Sequence, residues 1–266
     1  MALNRREFLC STALAGSASL LAGTAAHAVP GDALNTLFDT LFQESLRENP
    51  EGATNLGLDK GANADLAARL NDVSAAGIAR KKALTADQLR RLLAFDASGL
   101  SDTDRVNYDT VVYTRRSWVR LNAFEFGIGS SPYAISQITG AYQDTPDFLD
   151  TKHRLENTAD ADAYLARLEA FAGQLDGDTA KLGHDVALGV VPPDFVIDLT
   201  LTQLNKTRAP VDQTVLVTSI ARRAKDKGLP DSYAASAAKL YTDKIVPALD
   251  RQIAAVSGLR PRASHE

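Results

Sequence analysis

The stretch DADAYLARLEAFAGQL, residues 160–175, decides the fold class of this chain. Its apolar residues recur every three or four positions, which is the spacing of one face of an α-helix. Thr158 or Asp160 can cap the start, because a short oxygen-bearing side chain accepts a hydrogen bond from the first free amides. The predicted buried face consists of Ala161, Tyr164, Leu165, Leu168, Phe171, Ala172 and Leu175.

Helical spacing also dominates the chain on both sides of this stretch. Further helices are predicted over about 32–49, 74–96, 101–125, 194–206, 212–227 and from 230 to about 258. Pro247 lies inside the last of these and is expected to kink it. No strand-like alternation is longer than residues 214–219. We therefore predict an all-α fold, an irregular bundle of about six to eight helices.

One long segment, residues 127–150, breaks the helical pattern repeatedly. Glycines and prolines recur through it, with tyrosine, isoleucine and phenylalanine between them. A long loop with this many apolar residues usually has a function or packs on a neighbouring element. We predict a Gly/Pro/aromatic loop here.

The first 28 residues have the order of parts of an export signal. Arg5 and Arg6 precede an aromatic and an aliphatic residue, as in a twin-arginine signal. A short apolar run follows, and Ala28 completes a small-x-small cleavage site. We predict a signal peptide at 1–28, a helical domain at 29–266, and a periplasmic or secreted protein without a membrane segment after cleavage.

Composition excludes several classes of function. The chain has 266 residues, a formal net charge of −4, one Cys and four His. Clustered Lys and Arg would be needed to neutralise phosphates, so we expect no nucleic-acid partner. A single cysteine excludes a disulfide framework and a cysteine-based zinc site. We predict no metal ligand, no catalytic residue and no cofactor within this chain.

One acidic segment is a candidate cation or zinc site. Asp144, Asp147, Asp150 and His153 lie within ten residues of one another. Their spacing is not that of a calcium-binding loop. The favoured interpretation is a solvated helix start, where the helix dipole favours acidic side chains.

Two further pairs are candidate catalytic groups. His184 and Asp185 could form a base with an orienting acid, but no nucleophile stands out to complete a triad. Ser236 and Lys239 match an S-x-x-K string, but the companion motifs of penicillin-binding enzymes fail in order and sequence. Both pairs are interpreted as exposed polar positions.

Four strings together resemble the N-terminal half of a bacterial family named domain of unknown function 885. They are NPEGATNLG at 49–57, LSDTDRVNYD at 100–109, DADAYLARL at 160–168 and GVVPP at 189–193. The resemblance implies an exported, mostly helical protein whose full-length members are about twice as long. Those members carry an H-E-x-x-P-G-H-H string in the C-terminal half and look like zinc metallopeptidases.

That string has no counterpart in this sequence, so zinc is implied only for the full-length relatives. The resemblance implies that this chain forms one wall of a substrate cleft. Within the irregular loop, Ser131, Tyr133, Gln137 and Tyr142 are the candidate cleft-lining residues.

Three hypotheses about the function follow from these observations. The first is a truncated protein that is inactive alone and lacks a C-terminal catalytic half as its partner. The second is a complete periplasmic module that binds peptides or a protein. The third is an enzyme that uses the Asp144–His153 segment or the pair Ser236 and Lys239.

Overall fold

The computed structural model describes residues 30–265. Arg5, Arg6 and Ala28 therefore lie outside the described residues, and the export signal stays a prediction. The α-helices are α1 (Pro30–Arg47), α2 (Pro50–Asn55), α3 (Ala75–Leu93), α4 (Asp102–Asn122), α5 (Ala141–Thr151), α6 (Thr158–Ala187), α7 (Asp194–Thr207), α8 (Val215–Asp226), α9 (Ser232–Leu240) and α10 (Val246–Ser257).

The all-α prediction is confirmed. Within residues 30–265 no strand forms, and the β-type pairing consists of two isolated bridges. There are ten α-helices in this range, more than the predicted six to eight. Helix α2 lies between the first two predicted helices, α5 falls in the segment that was predicted as a loop, and the predicted last helix is divided into α9 and α10.

Six helices, α5 to α10, form the larger unit, which we call the six-helix unit. Helix α6 runs through it for 30 residues and packs against α5, α8, α9 and α10. Tyr164, Leu168, Phe171 and Leu175 on its predicted face are completely buried. Two polar groups also tie this core together. The Tyr164 hydroxyl donates to the Leu216 carbonyl at 2.9 Å, and Gln252 Nε2 donates to the Leu175 carbonyl at 3.1 Å.

Three helices, α1, α3 and α4, form a smaller layer, which we call the three-helix unit. Its core consists of Leu34, Leu41, Leu92, Tyr108 and Val112. Gln88, on α3, is also buried there. Its Nε2 donates to the carbonyl of Leu41 on α1 at 3.0 Å.

The two units are joined through α2 and the 3-10 turns at Gly61–Ala68. Arg167 of α6 reaches into this junction and is completely buried. Its guanidinium donates to the Arg69 carbonyl and the Leu66 carbonyl at 3.0 Å each, and also to Thr54 Oγ1. A single side chain of the six-helix unit therefore supplies three hydrogen bonds to the junction.

The predicted loop at 127–150 is shorter in the structure, because residues 141–151 form α5 despite Pro146 inside it. Tyr142, Phe148 and Leu149 of this helix are buried in the six-helix unit. Burial against neighbouring helices supplies most helical stability in proteins, so packing outweighs the local cost of the proline here.

The predicted disturbance at Pro247 takes the form of a π-helical turn. Residues Tyr241–Ile245 widen to π geometry just before Pro247, which is the second residue of α10. Since proline has no amide hydrogen, it fits best where the regular hydrogen-bond ladder is already interrupted. No helix within 30–265 is both long and apolar enough to cross a bilayer.

Candidate functional site

The irregular segment between α4 and α5, residues 123–140, contains two tight turns. The Ile128–Ser131 and Ser136–Thr139 bridges close them. Gly127 starts the first turn with φ 72°, and a Cβ there would lie 2.2 Å from the Ser131 carbonyl oxygen. Only glycine fits this position. The Gly127 amide also donates to Asp185 Oδ2 of α6 at 3.0 Å, which anchors the loop to the six-helix unit.

Two of the predicted cleft-lining residues, Ser131 and Tyr133, lie together in this loop. Ser131 Oγ donates to the Tyr133 carbonyl at 3.1 Å, and Thr139 Oγ1 donates to the same oxygen at 3.1 Å. Gln137 lies in the second turn, where its Oε1 is buried without a hydrogen-bond partner among the described residues. The loop is thus folded by its own side chains.

Tyr142, the fourth predicted residue, lies at the start of α5, and its hydroxyl reaches the second turn of the loop. It lines a cavity of about 450 Å³ that also includes Gln143, Gln203 and Lys206. Its hydroxyl lies 2.8 Å from both the Ser136 carbonyl and Gln203 Oε1, and burial raises the pKa of this phenol. The structure does not bring all four residues to one surface, and their role in a cleft stays a prediction.

A second cavity, of about 180 Å³, lies where the loop meets α2, α5 and α6. We call it the carboxylate cavity, because Glu51, Asp144 and Asp178 all line it. Asp178 is almost completely buried, and its Oδ2 accepts a hydrogen bond from the Ala141 amide at 2.7 Å. Asp144 lies on the more exposed side.

The carboxylate cavity changes the acidity of two of its three acids. Burial raises the pKa of Asp178 to about 7, and the charges of Asp144 and Glu51 add to this effect. Burial and the nearby charge of Glu51 also raise the pKa of Asp144. A carboxyl group that holds its proton near neutral pH can donate a hydrogen bond or transfer a proton, and such groups are frequent at functional sites.

Glu51 is the fixed member of the carboxylate cavity. Its Oε1 accepts from the Asn71 amide and from Gln174 Nε2, both at 2.9 Å, and its Oε2 accepts from Asn71 Nδ2 at 3.0 Å. These three hydrogen bonds fix the position of the Glu51 side chain. The cavity therefore places Glu51, which is fixed by three hydrogen bonds, beside Asp144 and Asp178, whose pKa values are raised.

Asp178 was missed by the sequence analysis. A signal for it exists, since Asp178 follows Leu175 by three positions and precedes Leu182 by four on the apolar face of α6. An acidic residue on a buried stripe is unusual, because a buried charge is costly without a partner. Its altered pKa depends on the surrounding packing, which the sequence alone does not give.

The acidic segment that was weighed as a metal site does not converge in the structure. His153 is buried, and its Nδ1 accepts from Arg167 Nη1 at 2.7 Å while its Nε2 lies 2.8 Å from the Asp160 carbonyl. Nε2 therefore carries the hydrogen. Asp150 instead lies 3.7 Å from Arg222. Among residues 30–265, no group of three His, Cys, Asp or Glu is arranged to hold a metal ion.

The two pairs that were weighed as catalytic groups lie in ordinary ion pairs. His184 Nδ1 is 3.1 Å from Asp185 Oδ1, which also contacts Lys181. Ser236 is exposed, and Lys239 pairs with Asp243 of the following turn at 2.5 Å. Neither pair has a nucleophile positioned by a base.

The fold and these cavities define an all-helical protein with a folded loop at the junction of two helical units. The model of a family of bacterial proteins of unknown function (DUF885) matches residues 50–266, and the chain belongs to this family. No curated protein matches the chain.

A solved structure with the same fold is described as the "putative lipoprotein from Colwellia psychrerythraea". It superposes with a TM-score of 0.80 at 17% sequence identity. The match covers 89% of this chain and 43% of that chain, so the chain spans less than half the length of this solved relative.

Proposed function

We propose that this chain forms the non-catalytic N-terminal half of an exported, zinc-metallopeptidase-like protein and is inactive alone. The observation that carries the proposal is the unequal coverage of the match, which takes in 89% of this chain but 43% of the solved relative. That solved chain is thus about twice as long as this one. The described residues offer no zinc ligand set, so we place that set in the second half.

The surface of α7 supports a missing partner. Phe195 and Leu199 lie one turn apart, and each is half exposed. Residues 260–265 run beside them, since the Asp194 amide donates to the Ser264 carbonyl at 2.9 Å and Arg260 Nε donates to Asp198 Oδ1 at 2.8 Å. A second half that follows this segment would begin next to an apolar helix face.

The part that this chain plays in the whole protein is to wall the substrate cleft. We assign that role to the loop with Ser131, Tyr133 and Gln137 and to Tyr142 at the following helix. The loop is folded by internal hydrogen bonds and fixed to α6, as a wall requires.

A complete periplasmic module that binds peptides or a protein is the second candidate. The observation that favours it is the cavity of about 450 Å³ beside Tyr142, whose lining combines three glutamines, two threonines and Lys206. Such a mixture of polar groups suits the backbone amides of a peptide.

The first test is to read the DNA beyond the last codon in all three forward frames. The proposal predicts an H-E-x-x-P-G-H-H string there. The restored protein should then bind one zinc ion and hydrolyse peptides, whereas residues 29–266 alone should do neither. If no related sequence follows, or if the short chain hydrolyses peptides by itself, the proposal is wrong.

We also propose export through the twin-arginine route to the periplasm or the medium. Replacing Arg5 and Arg6 with lysine should leave the protein in the cytoplasm with its first 28 residues uncleaved. Cell fractionation with an antibody against the mature part measures this. Export that continues unchanged in the double variant contradicts the proposed route.

A further inference from the structure

Two adjoining cavities lie along α3, on the side that faces α1, α4 and the 123–140 loop. One, of about 400 Å³, lies at the junction of α1 and α2, and the other, of about 330 Å³, lies under the 123–140 loop. Both are lined by Lys81, Thr85 and Trp118. They therefore form one continuous trough, which we call the α3 trough.

One end of the α3 trough carries two cations without acidic partners. Lys81 Nζ donates to the Asp72 carbonyl at 3.0 Å, and Arg115 Nη2 donates to Ser45 Oγ at 3.1 Å. No carboxylate oxygen of residues 30–265 lies within 4.0 Å of either cation. Burial lowers the pKa of both groups, and for Lys81 the charges of Glu48, Asp72 and Glu51 offset this desolvation only in part.

The acidic residues that line this trough are already paired with a different cation. Arg80 Nη2 lies 2.9 Å from Asp72 Oδ2 and 3.4 Å from Glu48 Oε2. These two carboxylates are thus engaged on the outer side of α3. The positive charge of Lys81 and Arg115 is left for an anion from outside.

The other end of the α3 trough is aromatic and open to solvent. Trp118 is 42% exposed and Phe124 is 55% exposed. The rings of Phe124 and Phe126 contact each other edge to face at 5.6 Å between centroids. Exposed aromatic surface grouped in a cavity marks an interaction site, because isolated apolar residues are normal but clusters are not.

We propose that the α3 trough binds a peptide carboxylate flanked by an apolar side chain. The carboxylate contacts Lys81 and Arg115, and the side chain packs against Trp118, Phe124 and Phe126. Either a peptide C-terminus or an acidic side chain supplies this chemistry. The inference goes beyond the proposed function, since it uses only groups of this chain and holds with or without a second half.

The single tryptophan of the sequence lies in the α3 trough, so its fluorescence reports binding directly. Purified residues 29–266 are titrated with acetyl-Ala-Ala-Leu as the free acid, with the same peptide as its C-terminal amide, and with acetyl-Asp-Leu-amide. We expect saturable fluorescence changes with the free acid, with the Asp peptide, or with both. The uncharged amide should give none, and added salt should weaken binding.

The pattern among the peptides identifies the source of the carboxylate. Binding of the free acid alone indicates a C-terminus, and binding of the Asp peptide indicates an acidic side chain. If no peptide binds, or if the amide binds as well as the free acid, the inference is wrong.

Arg115→Gln is the decisive variant, and Arg116→Gln is its matched control on the exposed side of α4. Loss of a charged hydrogen bond should weaken binding by about tenfold in Arg115→Gln, while Arg116→Gln should bind as the wild type does. Ser45→Ala removes the same internal hydrogen bond but keeps the charge, so it should bind normally. Circular dichroism confirms that each variant is folded. Equal binding by the Arg115 and Arg116 variants overturns the proposal.

Discussion

The two helical units differ in the number of apolar side chains that they bury. The core of the six-helix unit has 26 buried apolar residues arranged around α6. The core of the three-helix unit has five. Small cores supply little stability by themselves, because the fraction of buried surface falls with size. The three-helix unit is therefore the part that needs help from polar contacts.

Those polar contacts are visible between α1 and α3. Gln88 is buried and bonds to the Leu41 carbonyl, and Arg91 forms an ion pair with Glu44. The hydroxyl of Tyr108 on α4 donates to the Leu92 carbonyl at 3.0 Å. The smaller unit therefore depends more on specific hydrogen bonds, whereas the larger unit depends more on buried apolar volume.

The largest expected effect comes from breaking the tie between the units. Arg167→Met removes a buried guanidinium and leaves the acceptors at Thr54, Leu66 and Arg69 without their donor. We expect a loss of about 3–5 kcal/mol in the free energy of unfolding, as for other broken buried charge networks. Urea denaturation measures it.

The matched control for that variant is Arg208→Met. Arg208 and Asp250 lie 2.6 Å apart and are both about half exposed, so the loss of this pair should cost below about 1 kcal/mol. Equal losses in the two variants would mean that the junction is not held by Arg167.

Leucine truncation in each unit tests the difference in core size. Leu168→Ala and Leu92→Ala each remove a completely buried side chain, and each should cost about 2–5 kcal/mol. In Leu92→Ala, amide hydrogen exchange should become faster mainly in α1, α3 and α4, because a small unit opens locally. In Leu168→Ala it should become faster throughout the molecule. Uniform acceleration in both variants contradicts the division into two units.

Acid should weaken the junction through His153. Burial lowers the pKa of His153 from 6.5 to about 4, so between these pH values the unfolded chain binds a proton that the folded chain refuses. Stability should therefore fall as the pH drops through this window, by up to about 3 kcal/mol. Denaturation at pH 7 and pH 4 measures the loss.

His153→Asn should be less stable at pH 7 but should lose less on acidification. The control His184→Asn, at a half-exposed ring, should keep the wild-type profile. A His153 variant that is as acid-sensitive as the wild type would exclude this imidazole as the cause.

Asp178 should give the opposite pH dependence of stability to that of His153. Its pKa is raised to about 7 from 3.8, so stability falls as the pH rises through this range, where the unfolded chain gives up a proton that the folded chain keeps. Asp178→Asn still accepts the Ala141 hydrogen bond without a buried charge. We expect it to be more stable than the wild type by about 4 kcal/mol at pH 8 and equally stable near pH 3. Thermal melts at both pH values decide this.

The smallest effects are expected at surface ion pairs. Arg251 and Asp176, on the six-helix unit, lie 2.8 Å apart and are both about half exposed. Arg251→Met should cost below about 1 kcal/mol. Arg91→Met, across the less exposed α1–α3 contact, should cost more. The reverse order would mean that the three-helix unit does not depend on its polar contacts.

Sequence periodicity predicted the long amphipathic helices well. Helices were predicted over about 74–96 and 194–206, and the structure has them at Ala75–Leu93 and Asp194–Thr207. Helix α5 was missed because Pro146 within it and the glycines before it argued for a loop, whereas burial of Tyr142 and Phe148 stabilises the helix. Local propensity gives way to tertiary packing there.

The candidate sites were harder to predict, because they depend on contacts between distant segments. Asp178 and Glu51 line one cavity although they lie far apart in the sequence. No sequence pattern singles out Lys81 and Arg115. Their lack of acidic partners becomes apparent only in the structure, where α3 packs on α4. By contrast, the family was predictable, since the quoted strings retain their order along the chain.

The reach of Arg167 also has a consequence for how the protein is made. Its partners at Thr54, Leu66 and Arg69 precede it by 98 to 113 residues. The ribosome therefore releases the whole three-helix unit before the side chain that locks the junction has been synthesised. During that interval the front of the nascent chain has only its five-residue core to rely on.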